Sequence, residues 1–74
     1  MGWSIRTKEH EYFVSRLRQA RIDARLTQVE VAKILKRRQS YISNIETGQQ
    51  RVDIVELQKF AKLYKKDITF FIKK

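Results

Sequence analysis

The 74-residue chain contains no cysteine and no proline, and only two glycines, one histidine and one tryptophan. Without cysteine, neither disulfides nor a thiolate metal site can staple the fold. Without proline, no helical pattern is broken by a missing backbone N–H. The lone His10 has no ligand cluster around it and reads as a solvated residue on the first helix. No apolar run approaches the roughly 20 residues needed to cross a bilayer, and there is no signal-peptide core. Met1-Gly2 opens like a myristoylation signal, but Arg6 stands where Ser or Thr is required. A cytoplasmic location is the expectation. Acidic residues are scarce too: eight Asp and Glu against 17 Lys and Arg leave a net charge of +9. That surplus implies an anionic partner, polyphosphate being the commonest for a small globular domain; membrane surfaces and acidic proteins also satisfy it. No catalytic constellation is legible, and the length leaves little room for a cleft. A non-enzyme with no cofactor and no metal is expected.

What is present is organised around residues 28–47, QVEVAKILKRRQSYISNIET. Val31, Ile34 and Leu35 give its first half one apolar face, and Ile42 and Ile45 do the same for its second. Thr27 with Glu30 makes the T-x-x-E pattern of a capping box. Gly48 sits where a left-handed residue commonly ends a helix. Lys36, Arg37 and Arg38 fill the connection, and Ala32 is small where the two helices must approach. Two short helices joined by a tight turn are the outline of a helix-turn-helix, whose second helix enters the major groove of DNA.

Around this core the rest of the chain reads as one domain, 8–74, preceded by a loose arm, 1–7, whose Trp3 could pack on the domain or on a partner subunit. A chain this short has a small core, so compact helix packing or self-association must supply much of its stability. The first helix runs from about Lys8 to Ala24 with Phe13, Leu17, Ala20 and Ala24 as its apolar stripe. Arg21 lies beside that stripe and requires a carboxylate. Arg16, Arg18 and Arg25 read as solvated or phosphate-facing. After the loop Gln49 to Val52, Asp53 caps a fourth helix with Glu56 as its capping-box partner. Ile54, Leu57, Ala61 and Tyr64 form its inner face, with Phe60 at the edge. The final ITFFI has strand propensity, yet Asp67 as a cap after four helices favours a fifth short helix. Phe71 is expected in the core, with Phe70 or Ile72 more exposed.

The segments LRQARIDARLTQVEVAKIL, QSYISNIETGQQ and VDIVELQKFAKLY resemble the Cro/C1-type (XRE) helix-turn-helix family of prokaryotic and phage regulators. The likeness rests on Gln28, Ala32, Ile42, Ile45, Glu46 and Gly48 together. It implies an all-α, compact five-helix, lambda-repressor-like DNA-binding domain. By resemblance Gln39, Ser40 and Asn44 contact base edges, chemistry suited to adenine for Gln and Asn. Gln28, Lys36, Arg37, Arg38, Tyr41, Ser43, Thr47 and Arg51 then lie along phosphates, and Arg21 pairs with Glu46. Lys36 holds a turn position usually given to Gly, Arg25 another, and Arg38 replaces the usual Ser or Thr cap.

The leading expectation is a sequence-specific transcriptional regulator, such as a repressor, that binds a palindromic operator on double-stranded DNA as a homodimer. Phe70 and Ile72 are its candidate dimer interface, and the resemblance places it in a prokaryotic cytoplasm at the nucleoid. An alternative is a protein-interaction module, the antitoxin of a toxin pair or an adaptor, in which the apolar C-terminal element binds another protein. A dimerisation domain from a longer regulator, or a monomer that uses the whole C-terminus as core, are the other readings.

Overall fold

A computed structural model describes residues 7–72; the arm with Trp3, and Lys73 and Lys74, lie outside the described residues. Four α-helices follow one another: α1 Lys8–Asp23, α2 Gln28–Leu35, α3 Gln39–Glu46 and α4 Ile54–Tyr64. The expected fifth helix is a single 3-10 turn, Ile68–Phe71. Four residues cannot repeat an α-helical hydrogen-bond ladder, and the Asp67 carboxylate closes the turn by accepting from the Thr69 N–H and hydroxyl. Among the described residues no helix is long and apolar enough to cross a membrane.

Each helix start has a side chain that accepts a free N–H, except that of α3. Thr7 accepts from the His10 N–H, so the last residue assigned to the arm is the cap of α1. Thr27 and Glu30 form a complete capping box. Asp53 accepts from the Glu56 N–H, but the Glu56 side chain does not return the bond and is drawn elsewhere. At the other ends the chain turns through the left-handed region at Arg25, Lys36, Gly48 and Lys65 (φ 60, 57, 81 and 57°). At all four ends the following N–H reaches back to a carbonyl of the last turn: Leu26 to Arg21, Arg37 to Ala32, Gln49 to Asn44 and Lys66 to Ala61.

Leu17, Ala20, Val31, Ile42, Ile45, Phe60 and Phe71 form the centre of the core. Phe71 lies beside Phe13 and Phe70, and Phe60 beside Tyr64, all at ring distances typical of aromatic pairs. Several side chains sit differently from their pattern. Ile34 and Ile54 are more than half exposed, whereas Phe60 is central and Val14 is buried. The reason is angular. At about 100° per residue, Val31, Ala32 and Leu35 define the inner face of α2, and Ile34 falls about 100° away from its centre. Ile54, likewise, is about a quarter turn from the face made by Leu57, Phe60, Ala61 and Tyr64. His10 is half-buried against Phe13, its Nε2 hidden from solvent without a partner among the described residues. Burial pushes the Tyr64 hydroxyl well above the ordinary phenol range, the nearby Glu46 charge adding to it.

Arg16 and Arg18, read from sequence as solvated, are both engaged. The Arg16 guanidinium lies 3.7 Å from the Phe70 ring centroid and its Nε donates to the Phe70 carbonyl. Lys66 covers the same ring at 4.6 Å and pairs with Asp23 at 3.2 Å. Phe70 is thus half-buried between two cations of its own chain, while Ile72 is 50% exposed. Arg16 thus ties the 3-10 turn to α1, and Lys66 ties the segment before it to the end of that helix.

Candidate nucleic-acid interface

The short connection between α2 and α3 sets what α3 displays. Lys36 takes left-handed backbone (φ 57°, ψ 46°), which ends α2. Arg38 is the extended residue before α3, and no side chain caps that helix. Ile42 and Ile45 point inward, 1% and 0% exposed. The opposite row, Gln39, Ser40, Asn44 and Thr47, is exposed, and Ser43 is half-buried at its margin. A helix of eight residues therefore carries an apolar stripe on one side and a polar row of amides and hydroxyls on the other.

A buried carboxylate holds this helix in place. Glu46, 2% exposed, accepts from Arg21 Nε at 2.8 Å and Nη2 at 3.1 Å, and from Gln28 Nε2 at 3.1 Å. Arg18 donates to the Glu46 carbonyl at 2.6 Å, at the carboxyl end of α3 where a cation suits the helix dipole. The Gln28 carbonyl oxygen in turn faces Gln39 Nε2 at 3.5 Å. A chain of contacts thus runs Arg21, Glu46, Gln28, Gln39, from α1 through α2 to the first residue of α3. The hydrogen bonds that Arg21 donates to Glu46 raise the Arg21 pKa despite burial, so the guanidinium stays charged. With one amide N–H given to Glu46, Gln28 retains the other for an outside acceptor.

The cations of the turn divide into two groups. Lys36 and Arg38 are exposed. Arg37, exposed as well, is paired with Glu56 at 3.0 Å, its guanidinium 4.4 Å from the Tyr41 ring centroid. Tyr41, placed along phosphate by resemblance, donates its hydroxyl to Glu56 at 3.1 Å. The Thr47 hydroxyl donates to the Asn44 carbonyl at 3.2 Å. Arg51 is exposed in the loop before α4, bordering a hollow lined also by Thr7, His10 and Phe13. Sequence reasoning missed Glu56, because its T-x-x-E-like spacing from Asp53 already explained it as a cap. No sequence signal pointed to it, because the crossing of α4 over the turn is what brings Arg37 and Tyr41 to Glu56. Among the described residues no cluster of His, Asp and Glu could hold a metal ion.

These features define a small helical domain whose second and third helices form a helix-turn-helix unit. The chain belongs to the helix-turn-helix domain family, whose sequence model matches residues 13–67. Comparison with curated proteins finds no match.

Proposed function

We propose that the chain is a sequence-specific, double-stranded-DNA-binding transcriptional regulator of the Cro/C1 type with a lambda-repressor-like fold, and no enzyme. The observation that carries this reading is the exposed row Gln39, Ser40 and Asn44 on a helix anchored from behind through Gln28 and Glu46. Rigid presentation matters, because base-edge hydrogen bonds discriminate only when the donors are held in register. Gln39 and Asn44 read adenine edges and Ser40 an adjacent base. Gln28, Lys36, Arg38, Ser43, Thr47 and Arg51 lie along the backbone. As a homodimer, the protein places α3 of each subunit in successive major grooves about 34 Å apart.

Selection of bound duplexes from a random library tests this directly. The expected product is a palindrome with half-site centres about 10 base pairs apart. Gln39→Ala and Asn44→Ala should each lose about 1–3 kcal/mol on that sequence and less on random duplex. Equal losses on both would remove their base-reading role. The exposed aliphatic side chains Ile22, Val29, Ile34, Ile54, Val55 and Ile72 favour a second reading, an antitoxin or adaptor that docks another protein. Binding without any sequence enrichment, together with a co-purifying protein lost on Ile72→Lys, is the result that selects it.

A further inference from the structure

Glu56 is 8% exposed, yet only its backbone N–H serves the cap of α4. Its carboxylate gathers groups from three elements. Oε1 accepts from Arg37 of the turn at 3.0 Å and from the Tyr41 hydroxyl of α3 at 3.1 Å. Oε2 takes Lys59 of α4 at 3.2 Å. The Arg37 guanidinium also stacks over Tyr41, so three side chains close on one another. Hydrogen bonds to a charged group are roughly twice as strong as those between neutral groups. A carboxylate on a basic DNA-facing domain would otherwise repel phosphate. Here its charge is covered by two cations on the protein's own surface.

We propose that Glu56 is a positioning residue for DNA recognition: it clamps the turn and α3 to α4, and it keeps Arg37 off the DNA phosphates. The inference rests on the DNA-binding reading and assigns Arg37 a role opposite to the one its position in a basic run suggests. Two consequences follow from the geometry. Removing Arg37 leaves the count of phosphate contacts unchanged. Removing the Glu56 charge frees Arg37 to reach phosphate while loosening the hold on α3, so affinity for any duplex rises as discrimination falls.

The test measures the salt dependence of binding to a selected duplex and to a random-sequence duplex, for wild type, Arg37→Gln, Glu56→Gln and the double variant. Circular dichroism first establishes that each is folded. Arg37→Gln should keep the wild-type slope of log K against log salt on random duplex. Glu56→Gln should steepen that slope by about 0.9, one more counterion released. Its ratio of selected to random affinity should fall roughly tenfold, within the couplings measured between contacting residues. The double variant should return to the wild-type slope, because the added contact is Arg37 itself. A shallower slope in Arg37→Gln makes Arg37 a phosphate ligand and overturns the proposal. So does a steeper slope that persists in the double variant, which would be a field effect of net charge. An unchanged slope and ratio in Glu56→Gln overturns it as well. Should Glu56→Gln not fold, the slope of the exposed-site variant Arg37→Gln decides alone. Wild type that binds neither duplex removes the DNA reading itself, an outcome visible before any variant is made.

Discussion

At the scale of single residues, the helix ends are the strained positions. Arg25, Lys36 and Lys65 occupy left-handed backbone that glycine adopts freely, with φ near 60° in each. An L side chain there costs about 1–2 kcal/mol, and glycine gives back about 0.5–1 kcal/mol in unfolded-chain entropy. Lys65→Gly should therefore stabilise the domain by roughly 0.5–1 kcal/mol in urea denaturation, with DNA affinity unchanged. Lys36→Gly should stabilise it similarly but weaken binding to every duplex, since Lys36 adjoins the proposed groove. A stabilised Lys36→Gly protein with undiminished affinity would remove Lys36 from the phosphate contacts. These positions were legible in part: Lys36 and Arg25 stand where glycine is usual, whereas Lys65 ends a helix whose final lysines look like ordinary partners of the helix dipole. Ile34 and Ile54 mark the opposite limit. An apolar residue at i+3 from another satisfies a helical pattern, but only the packing of neighbouring helices decides which side of the stripe is covered.

At the scale of the elements, two buried glutamates join helices that are separate in sequence. Glu46→Ala leaves Arg21, 16% exposed, without its partner. Breaking a buried pair in this way costs about 3–5 kcal/mol. That is a large share of the total for so short a chain, at about 0.05–0.15 kcal/mol per residue. Urea titration should find the variant largely unfolded. Arg21→Met with Glu46→Leu should recover most of that stability, since apolar replacement of both partners is often neutral. It should still lose base discrimination, because Gln28 and Gln39 lose their anchor. The Arg21–Glu46 pair could be inferred because an arginine beside an apolar stripe demands a carboxylate. The Glu56 cluster could not, because it depends on how α4 crosses the turn.

Glu56 also makes a pH prediction. Burial pushes its carboxyl up, but hydrogen bonds from Arg37, Lys59 and Tyr41 outweigh this and hold it below the usual glutamate range. A depressed folded-state value adds stability that is full above the unfolded pKa, about 4.3, and is lost as pH falls through the folded one. The deficit of Glu56→Gln relative to wild type should thus be largest near neutrality and shrink below about pH 4. A deficit independent of pH would mean that the carboxylate charge contributes nothing to the folded state.

At the scale of the whole molecule, the surplus of cations matters through how many of them meet phosphate. Of the 17 Lys and Arg, at least six are already engaged within the domain: Arg16 on Phe70, Arg18 and Arg21 on Glu46, Arg37 and Lys59 on Glu56, Lys66 on Asp23. Composition alone therefore overstates the electrostatic contribution to binding. The cations proposed to lie along phosphate are Lys36, Arg38 and Arg51, flanking the α3 row. Each contact contributes about −0.9 to the slope of log K against log salt. A monomer on DNA should give a slope of about −3 and a dimer about −5, the latter losing roughly a thousandfold in affinity between about 50 and 200 mM salt. The measurement therefore reads oligomeric state and partner together. The C-terminal end bears on the same question. Because Phe70 is enclosed by Arg16 and Lys66, only Ile72 of the two candidate interface residues presents an uncovered aliphatic surface. A dimer built there has to be small, and assembly on DNA would then be driven by adjacent half-sites more than by protein contact. Sedimentation of the free protein should give a monomer at micromolar concentration, while the slope on a palindromic duplex reports two subunits. A stable dimer in the absence of DNA would place the interface elsewhere, on the exposed aliphatics of α2 and α4.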